Sequence, residues 1–481
     1  MYPALTLIID GRRIGADARA GQPVLNPATE ETLAMLPHAL ASDLDDALIA
    51  AERAFHTWSR MAPVERARIL KRGVALIRER IEAMARIMTL EQGKPLAEAR
   101  GEILYGAETI EWYAEEGRRA YGRIVPSAPE VRQMVVVEPV GVTASFTPWN
   151  FPALTPCRKI GGALAAGCTL ILKAAEDTPG TAVALVEALH DAGLPDGVLN
   201  LVFGAPAEVS AHLIASPIVK KVSFTGSVPV GKLIQKLAAE GMKRTTMELG
   251  GHGPVLVFDD ADVEVAADLL AAAKFRNAGQ VCISPTRFYV QNGVRERFTK
   301  RFVAKAQALV SGDGTTEGVT FGPLASARRV AVMEDIVADA VRRGATVLTG
   351  GAAGDGAGFH FPPTVLTDVP DDALLMTEEP FGPVAPIVGF DDLDEVLERA
   401  NSLPFGLAAY AFTTSNETAA LVGAGLKAGM VGINTMAVSN PETPFGGFGE
   451  SGIGQEGGVE GLSAYLNVKF IAQAARAAAP R

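Results

Sequence analysis

Five short apolar runs alternate with helical patterns between Gly141 and Glu248, and this alternation leaves few folds open to the chain. The runs are Val142 to Phe146, Thr169 to Lys173, Val198 to Val202, Lys221 to Phe224 and Thr245 to Glu248. Helical spacing fills the gaps at Ala153 to Ala166, Thr181 to Ala192, Ala207 to Ala215 and Val228 to Ala239. A strand, a helix and a second strand in succession bring the two strands side by side and parallel. The block therefore predicts a parallel sheet with helices on both faces, whose ligands bind beyond the carboxyl ends of the strands. A second alternating block runs from Pro254 to about Asn434. It holds strand-like Arg287 to Val290, Ala409 to Phe412 and Val431 to Asn434, and helical Val294 to Leu309 and Ala325 to Arg343. Ahead of both, Asp43 to Ser59, Pro63 to Gln92 and Glu102 to Tyr121 carry helical spacing. Met1 to Asp10, valine-rich Gln133 to Val142 and the closing Tyr465 to Ile471 read as strands. Gly350 to Gly358 reads as a surface loop, and the alanine-rich Ala472 to Arg481 shows no packing face.

A length of 481 residues exceeds one ordinary core and implies several domains. The net charge of −11 argues against nucleic acid or an anionic membrane as a partner. No apolar run reaches the roughly 18 residues of a membrane span, and the first ten residues lack the basic start of a signal peptide. A cytoplasmic location is the expectation. Cys157, Cys168 and Cys282 are odd in number and form no CxxC, which fits free thiols in a reducing compartment. The histidines show no ligand-like pairing, so no metal site is expected.

The candidate chemistry centres on Phe275-Arg276-Asn277-Ala278-Gly279-Gln280-Val281-Cys282-Ile283. A thiol after such a run is expected at the start of a helix, where free N–H groups favour the nucleophilic thiolate. A lone cysteine is more commonly a buried structural residue. Upstream, Met247-Glu248-Leu249-Gly250-Gly251 ends a strand with a carboxylate in a glycine-rich turn. Nucleophile and base is one reading of Cys282 and Glu248, and spacing alone leaves it open. No GxGxxG occurs. Phe224-Thr225-Gly226-Ser227-Val228-Pro229-Val230-Gly231 stands instead at a strand end running into a helix, where Ser227 and the helix N-terminus can receive a pyrophosphate or simply cap the helix. Lys173 and Glu176 end another strand; they suit ribose hydroxyls or form a surface ion pair. Asn150, between Trp149 and Phe151, is an amide donor or a turn cap.

Glu248-Leu249-Gly250-Gly251 followed by Gly279-Gln280-Val281-Cys282 resembles the aldehyde dehydrogenase superfamily. So do Thr147-Pro148-Trp149-Asn150-Phe151-Pro152, Phe224-Thr225-Gly226-Ser227, Glu379-Pro380-Phe381-Gly382-Pro383 and Pro444-Phe445-Gly446-Gly447. The motifs stand in the family's order across nearly the whole chain. The chain looks most similar to NAD(P)-dependent succinate-semialdehyde dehydrogenases. The resemblance implies an α/β aldehyde dehydrogenase fold: a Rossmann-like NAD-binding domain (1–119 and 140–250), an α/β catalytic domain (251–450) and a small β oligomerisation element (120–139 and 465–481).

The resemblance also implies the site. Cys282 is the expected nucleophile, Glu248 the base that activates water, and Asn150 the oxyanion donor together with the Cys282 N–H. Lys159 and Glu456 match positions that relay protons to the base. Cofactor contacts are implied at Thr147, Pro148, Trp149, Lys173, Glu176, Gly226, Ser227, Gly231, Leu249, Glu379 and Phe381. Glu176 favours NAD over NADP. Substrate contacts are implied at Arg158, Arg276, Ser439 and Phe445. The two arginines and the serine match succinate-semialdehyde dehydrogenases, so an aldehyde with a terminal carboxylate, succinate semialdehyde first, is the expected substrate. Glutarate or 2-oxoglutarate semialdehyde and sulfolactaldehyde are alternatives on the same arginine chemistry. A coenzyme A-acylating relative is disfavoured by Glu248, and a non-catalytic binding protein by the intact Cys282, Glu248 and Asn150. His252 departs from the lysine many members carry after Gly-Gly. Pairing of Gly122 to Val140 and Tyr465 to Ile471 between subunits implies a homodimer or homotetramer.

Overall fold

The computed structural model describes residues 2–17, 19–354 and 356–474. The first alternating block forms parallel strands Leu199–Val202, Thr169–Lys173, Val142–Phe146, Val219–Gly226 and Arg244–Leu249, hydrogen-bonded in that spatial order. Leu7–Ile9 and Arg12–Ile14 extend one edge antiparallel, and Gly452–Ile453 the other. Thr169–Lys173 and Val142–Phe146 are buried at every position, the signature of a parallel sheet covered on both faces. Strand order reverses between Val142–Phe146 and Val219–Gly226, and their carboxyl ends open a crevice where such folds bind ligands.

Helix Leu154–Ala166 starts from that crevice and is buried along its whole length. Small residues let it fit: a Cβ on Gly161 or Gly162 would lie 2.7 Å from the Tyr113 or Tyr465 ring. Its first turn has no side-chain cap of its own, and Glu102 supplies one from a neighbouring helix by accepting from Ala153 N (2.8 Å) and Leu154 N (3.1 Å).

The second sheet runs Thr346–Thr349, Thr364–Thr367, Val384–Phe390, Pro285–Gln291, Gly253–Val257, Ala408–Phe412, Met430–Ile433 and is parallel except at its first pair. It builds a second hydrophobic core, from Val255 to Phe445. Three antiparallel strands, Leu466–Ala474, Val131–Pro139 and Arg123–Val125, stand apart from both. Residues 475–481 of the expected oligomerisation segment lie outside the described residues. No helix among the described residues is long and apolar enough to cross a membrane.

The helices ahead of the sheet depart from expectation. Pro63 to Gln92 is two helices, Pro63–Glu79 and Ile81–Gln92, separated at Arg80 (φ −92°, ψ 10°). No proline or glycine marks that break, so helical spacing runs through it. The next helix is Leu96–Glu116, and it starts directly after Pro95 rather than at Glu102. Proline at a helix start needs no N–H partner, which makes it a start signal as much as a breaker.

Candidate active site

A cleft of about 1740 Å³ opens at the reversal of strand order and continues into the second unit. Pro148, Trp149, Asn150, Arg158, Gly226, Ser227, Glu248, Arg276, Cys282, Glu379, Phe381, Ser439 and Phe445 all line it. Thr147, Lys159, Lys173, Glu176, Gly231, Leu249 and Glu456 are not among the residues that line it.

The Cys282 turn corrects the helix-start expectation. Helix Val263–Phe275 ends before it, a short 3-10 turn covers Arg276–Gly279, and the strand Pro285–Gln291 follows. Proline and β-branched residues after Cys282 favour extended chain, so no helix begins there. Asn277 (φ 52°), Ala278 (φ 51°) and Gly279 (φ 73°) are all left-handed, a conformation that costs about 1–3 kcal/mol at each non-glycine position. Gly279 also passes against the Gly382 carbonyl, where a Cβ has no room. The thiol is half-buried. Burial pushes it well above the ordinary cysteine range and the Glu248 carboxylate adds to that, while Arg158 opposes both.

Three groups hold Asn150. Its carbonyl accepts from Lys94 Nζ (2.8 Å) and Asn277 Nδ2 (2.9 Å), and its own Nδ2 donates to the Gln280 carbonyl (3.0 Å). One amide N–H remains. Glu248 is buried with Oε1 unpartnered, and its carboxyl is pushed up to about 7 by burial first and by Glu456 second. Behind it, Lys159 pairs with Glu456 and donates to Thr225 Oγ1 (2.7 Å), and Ser223 donates to Glu456 (3.3 Å). Burial alone would raise Glu456, but Lys159 and Arg158 outweigh it and hold that carboxyl below its ordinary value.

The other arm of the cleft has the features of a dinucleotide cradle. Ser227 stands at the N-cap of helix Val228–Glu240, yet its hydroxyl caps nothing, so the first-turn N–H groups face outward without a partner from it. Thr147 Oγ1 is buried and unpartnered. Glu379 accepts from Gly251 N (3.3 Å), lies with Oε2 against the place a Cβ on Gly250 would take, and is raised by burial to about 8. Phe381 meets Trp149 edge-to-face at 5.7 Å. Gly231 and Leu249 pack against each other and set how the helix sits on the strand. Lys173 and Glu176 pair with one another, and the neighbouring Asp177 reaches the cleft. These residues fit the phosphate and ribose parts of a dinucleotide.

At the opposite end, Arg158 is buried and donates to Ser439 Oγ (2.7 Å), with its guanidinium 3.8 Å from the Phe445 ring centre. Among the described residues no carboxylate stands within salt-bridge distance of it, and Glu248 and Glu456 feel its charge only at longer range. Tyr105 fixes Ser439 by donating to its carbonyl (2.6 Å). Arg276 is exposed to the cleft 5.5 Å from the Phe151 ring centre. Lys94, Glu102, Tyr105, Asn277, Gln280 and Asp177 are site neighbours that the sequence reading passed over. Asn277 and Gln280 lay inside the cysteine stretch, so position pointed to them while residue type did not.

The model of the aldehyde dehydrogenase family matches residues 14–471. The chain is 49% identical over 464 residues to 4-(hydroxymethyl)benzenesulfonate dehydrogenase TsaD1 of Comamonas testosteroni, covering 95% of this chain and 97% of that protein. It is 45% identical over 465 residues to succinate-semialdehyde dehydrogenase [NADP(+)] GabD of Escherichia coli strain K12, covering 96% of each. The crystal structure of succinate-semialdehyde dehydrogenase from Burkholderia pseudomallei matches with a TM-score of 0.96 at 43% identity, covering 98% of each chain.

Proposed function

The chain belongs to the aldehyde dehydrogenase family, and from that premise we propose that it oxidises an aldehyde with a terminal anion, succinate semialdehyde first, to the carboxylic acid through a thioester on Cys282. The cleft supports the assignment of roles. Arg158 is the charge that favours the Cys282 thiolate against burial and Glu248. The thiolate attacks the aldehyde carbon, and the free Asn150 amide N–H with the Cys282 N–H receives the oxyanion. Gly226, Ser227, Glu379 and Phe381 would hold a nicotinamide dinucleotide, which when bound supplies the hydride acceptor. Glu248 then takes a proton from water as the oxygen attacks the thioester. The C–S bond breaks, the acid leaves and the Cys282 thiolate is restored. Lys159 and Glu456 keep Glu248 poised, and pass its proton on.

The observation that carries the substrate class is the buried Arg158 guanidinium, which has a hydroxyl and a ring for company but no carboxylate. Glu248 and Glu456 act on this guanidinium only from beyond salt-bridge distance, and a substrate anion can pair with it directly. A carboxylate or sulfonate accepts from the planar fork of an arginine. The relatives named for a succinate semialdehyde and for a benzenesulfonate support an anion at the far end of the substrate. Each charge-assisted contact is worth about 1.5–3 kcal/mol, so Arg158 and Arg276 together give roughly two to four powers of ten. The test compares succinate semialdehyde with butanal. Arg158→Ala and Arg276→Ala should lower kcat/KM for the anion at least about tenfold more than for butanal. The ratio cancels the effect of Arg158 on Cys282 and Glu248. An unchanged ratio would falsify the anion pocket.

The cofactor is a nicotinamide dinucleotide. GabD is named for NADP(+), so the family gives no reason to disfavour that form. The proposal of NAD rests on Glu176, whose carboxylate would meet a 2′-phosphate of about −1.5 to −2 charge. Lys173 is already engaged with Glu176 and offsets this only in part. The ratio of kcat/KM for the two cofactors decides it.

A further inference from the structure

We infer that Lys94 is a positioning residue for the oxyanion site: with Glu102 it clamps the main chain of Asn150 so that the one free amide N–H of Asn150 points at the developing oxyanion. This rests on the reading of Asn150 as oxyanion donor and deepens it.

Lys94 is buried between two helices, and its Nζ has two acceptors, Glu102 Oε2 at 2.5 Å and the Asn150 carbonyl at 2.8 Å. Asn277 already satisfies that carbonyl at 2.9 Å, so the bond from Lys94 is not needed to avoid an orphaned acceptor. Burying an ammonium is costly unless it is paired and hydrogen-bonded with good geometry, and here both conditions are met at the Asn150 turn. The other oxygen of Glu102 accepts from Ala153 N and Leu154 N, the start of the helix that carries Arg158 and Lys159. One ion pair thus fixes the Asn150 turn from below and the helix three residues later. Lys94 Nζ also lies 4.3 Å from the centre of the Phe151 ring, so the residue next to Asn150 is held as well. From the opposite side, Asn277 and Gln280 tie Asn150 to the turn of Cys282. Without Lys94 the peptide after Trp149 keeps its anchor to the cysteine turn and loses its anchor to the fold. An oxyanion donor that drifts by a fraction of an ångström loses its strongest effect in the transition state.

The test is a double-mutant cycle read by stopped-flow NADH formation, with succinate semialdehyde and butanal in parallel. Lys94→Met should slow the single-turnover rate by about tenfold or more and change aldehyde KM less than threefold. Lys94→Met/Glu102→Gln removes both charges of the pair; it should recover thermal stability and stay slow. In an Asn150→Ala background Lys94→Met should add almost nothing, because the group it positions is gone. Equal slowing in both backgrounds, or recovery of rate together with stability in the neutral double variant, would make Lys94 a purely structural residue and overturn the inference. If Asn150→Ala alone leaves the rate unchanged, the oxyanion reading itself falls.

Discussion

At Glu248 burial and the Glu456 carboxylate both raise the carboxyl, to about 7, and this sets a pH dependence whose sign is fixed. Below that value Glu248 is protonated and cannot take a proton from water, so thioester hydrolysis should fall as pH drops through about 7. In Glu456→Gln the negative neighbour is gone and Lys159 becomes an unopposed cation. Both changes favour the Glu248 carboxylate, so the acid limb of kcat should move to lower pH; a limb that stays in place contradicts the coupling. Glu248→Gln removes a charge that raises the Cys282 thiol. A pre-steady-state burst of NADH should therefore survive while turnover collapses, and iodoacetamide should alkylate Cys282 faster at pH 7 than in the parent. Cys282→Ala should lose burst and turnover together. Equal loss of both phases in the glutamate variant would remove Glu248 from the hydrolytic step.

The turn from Asn277 to Cys282 shows where legibility in the sequence ended. Glycine at 279 was visible, but the left-handed run of Asn277 and Ala278 depends on Gly382 and Asn150, far away in the chain. A thiol after such a turn reads locally as a helix start, and the strand Pro285–Gln291 overrides it. The strands around the crevice were legible because full burial leaves near-continuous apolar runs, as in Thr169–Lys173. Motif residues at strand ends were legible for the same reason, since the strand places them. Lys94 and Glu102 were not, because a salt bridge across eight residues on separate elements carries no periodic trace. Gly279→Ala tests the turn directly. Its Cβ must displace the Gly382 carbonyl and its φ is left-handed, so the Cys282 loop should shift. A displacement of about 1 Å costs roughly a hundredfold in rate, whereas cofactor binding, measured by fluorescence titration, should stay within about threefold. A variant with parental acylation would mean that the turn tolerates movement.

Across the whole molecule, two cores meet at the cleft and a three-stranded sheet stands apart from both main sheets. In that sheet Leu466–Ala474 pairs Val131–Pro139 on one side only, so its other edge carries unpaired N–H and C=O groups. Val468 and Phe470 point to one face of it, in register with Val137 and Val135, and are 71% and 60% exposed. Lys469 alternates with them and pairs with Glu138 on the opposite face. An edge strand that is apolar on one face is a liability in a monomer, and pairing with a second copy removes both the open edge and the exposed rings. Stable subunit interfaces bury about 1,200–2,000 Å² in total, more than these two side chains supply, so the contact must extend onto neighbouring surface. Exposed Val459 stands on helix Gly458–Ser463, which contacts Leu466–Ala474, and offers such area. The expected outcome is a dimer or tetramer in sedimentation at micromolar concentration, with Val468→Glu/Phe470→Glu shifted towards a species near 50.3 kDa. Because neither residue lines the cleft, the shifted species should keep its NADH burst. A parent that sediments only as the monomer would refute the interface, whatever the variant does.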